Sequence, residues 1–298
     1  MIEPTHPNPA SHQHYVPEFY LKRFASDAER LKISTFTRRH TNVIEEDRSI
    51  EYTCAERRIY RDREEDISRL ENIIQRSAAW TLSIAGQRGP LSESDARDLY
   101  RTVNHFSVRT PLSRGFLQRM VKQGADLTPL GSDLDDAFEN MSSAYEVWDR
   151  MFHLTSVRIL HTSADLLTSA FPTSSFEEGL DVDGVVFPYH VTMAIDRRVL
   201  VHVMVRSFDL NDQVKQNFWI APADDQIVLR HNLAQIARFI GSGDVEYLVH
   251  TGGLSTELVH RCLTALGWTS NARRPGRRVF TKAAGPHPDN VAGGKLTG

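Results

Sequence analysis

Stripes of helical spacing and runs of period-two alternation divide the chain. Residues 31–37 and 41–44 alternate apolar and polar positions, which predicts two paired strands joined at Arg38, Arg39 and His40. Ahead of them, Pro17 suits the first turn of a short helix carrying Phe19, Tyr20, Leu21 and Phe24. From residue 64 to 85 the period changes to helical, with Ile67, Leu70, Ile74, Ala78 and Ala85 on one stripe and Gly86 ending it. A second helix opens at Ser92, an N-cap with Asp95 at the capping-box position, and aligns Ala96, Leu99, Val103 and Phe106. Pro111 disfavours helix at Thr110, so this helix is expected to reach Arg109, with a resumption over 113–123. A third starts near Ser132 and carries Leu134, Phe138, Met141, Tyr145, Trp148 and Phe152 as core positions.

Strand-like segments then take over. Residues 156–160, 185–188, 191–195 and 199–205 read as strands, the last two joined tightly through Asp196, Arg197 and Arg198, while 171–184 reads as a polar, acidic loop. A helix over 224–241, a strand over 245–249 and a helix over 255–266 with Gly267 as its C-cap complete the pattern. Helices first and strands later predict an α+β fold, a central helical bundle packed with a mostly antiparallel sheet. One domain is expected over 12–282, its helical part at about 60–153 and its sheet-rich part at about 155–282. A flexible arm (1–11) and a disordered tail (283–298) flank it.

Composition narrows the setting. The net charge of −3 leaves no global field that demands a polyanionic partner. No apolar run approaches the ~18 residues that span a bilayer, so no membrane partner is expected. The first residues lack the basic and apolar regions of a signal peptide, and Cys54 and Cys262 are too few for a disulfide framework, which together predict a cytoplasmic protein. Histidine is in excess at 13 residues, and that directs attention to acid–base and metal chemistry.

Four residues stand out as a candidate centre. His14 lies before a rigid Val16-Pro17 step that can aim its imidazole inward, either as a general acid/base or metal ligand or as a buried side chain bonded to a backbone carbonyl. Glu71 falls inside an apolar helical stripe, where a carboxylate must be paired, protonated or at the stripe's edge, and Arg109 at the end of the next helix is its natural partner. That pair is either a lock between two helices or a polar site with a perturbed Glu. His105 lies one turn before Arg109 and can share its space, although such a flank is more often solvated. Asp165, in the turn His161-Thr162-Ser163-Ala164-Asp165 at a strand end, is a candidate metal ligand, with Ser163 a weaker nucleophile and a hydrogen-bonded turn the plainer reading. His6, His12 and His14 in the loose arm offer nitrogen ligands to a divalent metal but no fixed geometry. The run Arg273, Arg274, Arg277, Arg278 can contact nucleic-acid phosphates, yet it lacks the interleaved aromatics of a base-stacking surface and reads better as a solvated turn.

Several of these segments recur together in one known pattern. His14-Tyr15-Val16-Pro17 followed by Phe19-Tyr20-Leu21 and Phe24 resembles the N-terminal signature of the bacterial domain-of-unknown-function family 4238. Residues 56–60 (Glu-Arg-Arg-Ile-Tyr), Leu70-Glu71, Arg109-Thr110-Pro111, the Thr162 turn, Phe187-Pro188 and Asn232 resemble that family's pattern in the same order. The family's usual Thr-Ser-Asp-Asn/Gln-Pro turn is Thr162-Ser163-Ala164-Asp165-Leu166 here, with the Asp displaced by one position and the Pro missing. The resemblance implies a fold and brings no activity. Two functions stay open: a hydrolase-like enzyme acting on phosphodiesters through His14, Glu71, Arg109 and Asp165, and a non-catalytic binding or regulatory protein in which these groups form a buried network.

Overall fold

The computed structural model describes residues 13–27, 29–39, 41–56, 69, 71–77, 81, 84–108, 110, 118, 121–122, 149, 151–175, 181–182, 185–186, 190–206, 215–241, 245–274 and 277–282. The elements begin with β1 (Gln13–His14), α1 (Glu18–Leu21), β2 (Lys32–Arg39), β3 (Asn42–Ser49), β4 (Ala55–Glu56), β5 (Gly89–Pro90) and α2 (Glu93–Val108). They continue with β6 (Thr155–His161), β7 (Thr168–Ser169), β8 (Thr173–Ser175), β9 (Asp181–Val182), β10 (Val185–Val186), β11 (His190–Asp196) and β12 (Val199–Val205). The last are β13 (Phe218–Pro222), α3 (Asp225–Gly241), β14 (Tyr247–His250), α4 (Gly253–Ala265), β15 (Trp268–Arg274) and β16 (Arg277–Lys282).

Two six-stranded sheets carry the fold. One has the order β15-β16-β3-β2-β14-β7 and is antiparallel throughout; the other has the order β5-β13-β6-β12-β11-β8. In the second sheet β13 runs parallel to β6 and every other pair is antiparallel. Val199 to Val203 are all buried, which suits the valine-rich β12 to an interior position between β6 and β11. Ile33 and Phe36 on β2 are likewise fully buried.

The N-terminal segment joins the sheets. The Tyr20 hydroxyl of α1 donates to the Ala194 carbonyl on β11 at 2.5 Å and meets Thr168 Oγ1 on β7 at 2.6 Å, so one phenol touches a strand of each sheet. Burial pushes that phenol well above its ordinary pKa, which keeps the proton it donates. The rings of Phe24 and Phe106 lie 5.3 and 5.0 Å from the Tyr20 ring. Helix α2 lays Ala96, Leu99, Val103 and Phe106 against the second sheet, and its start is capped as expected: Ser92 Oγ accepts the Asp95 N–H at 3.1 Å. Helix α3 contacts β7, β8 and β14 and so also bridges the sheets.

The α+β class and the mostly antiparallel pairing hold, but the molecule is sheet-rich and a central helical bundle does not describe it. The physical reason is non-local pairing. Residues 268–274 and 277–282 were not expected as strands, yet they extend the first sheet because Arg277 and Arg278 stand opposite Glu46 and Glu45 on β3. The loop expected over 171–184 contains β8 and β9. The arm 1–11, the tail 283–298, half of the helix expected over 64–85 and most of those expected over 113–123 and 132–152 lie outside the described residues. Among those described, no helix is long and apolar enough to cross a membrane.

Candidate functional site

Helix α3 turns a polar face inward. His231, Asn232 and Gln235 are buried beside Val228, Ile236 and Phe239, a stripe at helical spacing that carries hydrogen-bonding groups where a core helix normally carries carbon. Opposite it runs 165–175, where residues 165–167 and 170–172 flank the short strands β7 and β8 and need hydrogen-bond partners outside a sheet ladder. Asn232 Oδ1 accepts the Leu167 N–H at 2.9 Å and its Nδ2 donates to the Asp165 carbonyl at 3.2 Å. The Gln235 amide donates to the Pro172 carbonyl at 3.0 Å and to Ser174 Oγ at 2.9 Å, while its Oε1 accepts from Ser169 Oγ at 2.6 Å. Arg238 donates to the Thr173 carbonyl and stacks 4.1 Å above the Phe171 ring. Burial pushes its guanidinium down to about 10.

His231 completes this seam. Its Nε2 lies 2.9 Å from the Leu167 carbonyl, which can only accept, so Nε2 carries the proton and Nδ1 accepts from the Thr192 hydroxyl at 2.9 Å. Burial pushes His231 down to about 4, because a second proton there has no water to solvate it. His250 on β14 is also lowered to about 4 by burial, against the opposing pull of Glu45; its Nδ1 accepts from Thr256 Oγ1 at 2.8 Å. His202 on β12 is lowered to about 4 by burial first and then by His190, whose stacked ring places Nδ1 2.9 Å from His202 Nε2.

With its backbone stitched by Asn232, the turn at 162–165 is held on two more sides. Thr162 Oγ1 accepts the Ala164 N–H at 3.0 Å, and the Thr162 and Leu166 amides donate to the carbonyls of Arg198 and Arg197 in the β11–β12 connection. Arg197 donates onward to the Thr251 carbonyl, just before α4. The Asp165 carboxylate then faces two ways. Oδ1 lies 3.6 Å from Arg198 Nε, and Oδ2 approaches so close to Gly253 that a Cβ there would sit 3.2 Å from it. Gly252 and Gly253 have φ of 89° and 59°, values that favour glycine, and they let α4 begin against this carboxylate.

Between the turn and the first turns of α3 and α4 lies an open cleft of about 520 Å³. Among the described lining residues, Asp165, Asp225 and Glu257 bring three carboxylates to its wall against one guanidinium, that of Arg261. Leu229 and Leu254 also line it and are 48% and 72% exposed, the latter the most exposed large apolar side chain among the described residues. Chemically, the wall offers carboxylate acceptors beside apolar surface.

The sequence-derived candidates are distributed as follows. Asp165 lines the cleft and is the only one of the four to do so among the described residues. His14 is half-buried, with Nε2 3.4 Å from Glu18 Oε1 at the start of α1. Glu71 is half-buried in a helical stretch over 71–77. Arg109 lies outside the described residues, as do His6 and His12. His105 is 1% exposed, so it sits in the core and not on the solvated flank that its spacing suggested. Among the described residues no three His, Cys, Asp or Glu side chains are grouped to hold a metal. Of the basic run, Arg277 lies 3.2 Å from Glu46 and Arg278 3.7 Å from Glu45, so acidic partners across the sheet already engage both cations. The inner polar face of α3 was missed except for Asn232, and its signal was present: His231, Gln235 and Arg238 follow one another at three- and four-residue steps.

Fold and site together define a two-sheet α+β protein with a helix-walled cleft built around the turn at 162–165. The chain belongs to the family described as "Protein of unknown function (DUF4238)", whose model matches residues 12–238. That span includes the N-terminal signature, the turn and all but the end of α3. No curated protein and no solved structure matches the chain.

Proposed function

We propose that the protein is a binding protein whose recognition site is the cleft between the 162–165 turn, α3 and α4. One observation carries this reading: large apolar side chains are left to solvent in the wall of a concavity whose backbone is locked by buried hydrogen bonds. Leu254 and Leu229 remain exposed there while Asn232, in the cleft wall, and Gln235 hold the backbone of the Asp165–Ser174 stretch by hydrogen bonds. Exposed apolar groups scattered singly need no explanation, but two that line the same cleft of ligand size favour occupancy.

Phosphodiester hydrolysis needs His14, Glu71 and Arg109 to act together with Asp165, and the two functions separate experimentally. Panning a random-peptide phage library on the immobilised full chain should enrich clones that no longer bind the L229S/L254S variant. Failure to enrich, or enrichment indifferent to the variant, overturns the binding reading. Metal-dependent hydrolysis of bis(p-nitrophenyl) phosphate that is lost in both H14A and D165N replaces it with the hydrolase.

A further inference from the structure

We infer that the occupant of this cleft is a basic amphipathic polypeptide segment, with its apolar side against Leu229, Leu254 and Leu258 and its Lys or Arg side chains against Asp165, Asp225 and Glu257. The inference rests on the recognition reading above and adds the class of partner. Shape is the first argument. Leu229 is followed one turn later on α3 by Leu233, itself 39% exposed, and Leu254 one turn later on α4 by Leu258. Each pair extends apolar surface by about 6 Å along its helix, at 1.5 Å per residue. An elongated ligand covers both pairs; a small ion or a lone sugar covers neither.

Charge is the second argument. The three carboxylates come from three separate segments, so no single helix start accounts for them, and Arg261 is the only cation in the described wall. Arg198 reaches Asp165 from the rim at 3.6 Å with more than half its side chain in solvent, a contact weak enough to exchange for an incoming guanidinium or ammonium. An acidic segment or a nucleic acid meets repulsion from this wall, whereas a basic one meets complementary potential that sets orientation and encounter rate. The apolar and acidic parts of the wall adjoin, so the segment must present both kinds of side chain within two helical turns, as an amphipathic helix does at its i, i+3, i+4 and i+7 positions.

The test uses the full chain and two fluorescein-labelled 14-residue amphipathic peptides with Leu at identical positions. One carries Lys and the other Glu at every polar position, and both are titrated by fluorescence anisotropy. The Lys peptide is expected to bind at least tenfold more tightly than the Glu peptide at 50 mM NaCl and to lose most of that advantage at 500 mM. D165N/D225N/E257Q should weaken the Lys peptide at least tenfold, and L229S/L254S should weaken it comparably, with melting curves of both variants showing retained folds. Equal binding of both peptides that is lost in L229S/L254S overturns the inference and leaves the recognition cleft standing. Lys-peptide binding that neither variant changes overturns both. No binding of either peptide overturns the inference. Concentration-dependent dimerisation abolished by L229S/L254S does so too, because it makes a second copy of the chain the occupant.

Discussion

Lowering the pH from 7.5 to 5.5 asks buried imidazoles to accept protons that the fold cannot solvate. His231, His202 and His250 are 0%, 2% and 5% exposed, and burial lowers each to about 4. In the unfolded chain the same groups titrate near 6.5. The folded value is therefore the depressed one for a base. The stability these groups leave intact is full above about pH 6.5 and is lost as pH falls towards 4, since the unfolded state binds the extra protons first. At pH 5 each histidine costs about 2 kcal/mol by this linkage, and the three together about 6 kcal/mol, comparable with the ~5–15 kcal/mol that holds a typical domain. Near pH 5.5 the slope should approach roughly 4 kcal/mol per pH unit, the signature of almost three protons taken up on unfolding. Asp98 and Asp196, whose carboxyls burial raises, act with the opposite sign and regain stability as they protonate, so the clean window is the upper one, between pH 7 and 5.5.

Urea unfolding followed by circular dichroism at pH 7.5, 6.5 and 5.5 measures the slope directly. His231→Gln keeps a donor for the Leu167 carbonyl and removes the titration, so its slope should fall by about one third, since one of three protons is gone. An unfolding midpoint that does not move between pH 7.5 and 5.5 refutes the reasoning, as does a His231→Gln slope equal to that of the wild type.

Three further changes probe the seam and the cleft wall. Asn232→Ala strands the Leu167 amide and the Asp165 carbonyl and should cost about 1–3 kcal/mol, with faster exchange of the Leu167 amide hydrogen; unchanged protection there contradicts the assigned bond. Gly253→Ala places a side chain at φ 59° and against Asp165 and should cost about 1 kcal/mol or more by thermal melting. In an Asp165→Ala background the contact share should be recovered and the backbone share retained, and an identical loss in both backgrounds shows that the carboxylate contact contributes nothing. Tyr20→Phe removes the hydroxyl that touches both sheets and should lower stability by about 1–2 kcal/mol in urea; a neutral result means the sheets do not depend on that bond.

What could be read in advance followed how local its cause is. Ser92 and Asp95 marked the start of α2 because capping acts over three residues. Gly267, with φ 81° and its amide on the Thr264 carbonyl, marked the end of α4 for the same reason. Residues 199–205 read as a strand, and the structure buries both of its faces from Val199 to Val203. The sheets were harder, because β16 is recognised as a strand only through β3, more than two hundred residues earlier. Its arginines read as a basic turn until Glu45 and Glu46 stand opposite them.

The candidate site divides along the same line. Asn232 and the Thr162 turn were each singled out, but nothing within either segment shows that one side chain bonds the other's backbone, at Asp165, across 67 residues. The interior face of α3 defeats the usual inference from polarity to exposure. A backbone such as 165–175, only partly in strands, is buried at tolerable cost only if something polar is buried with it, so His231, Gln235 and Arg238 look solvent-facing in sequence and are drawn inward in the fold. The converse holds at the cleft: Leu229 and Leu254 are indistinguishable in sequence from core leucines, yet both are exposed in the fold. Burying polar groups among the apolar ones on one face of α3 thus fixes the turn bearing Asp165 beside exposed Leu229, which is why a site that depends on that mixed face is located by three-dimensional contacts and not by periodicity.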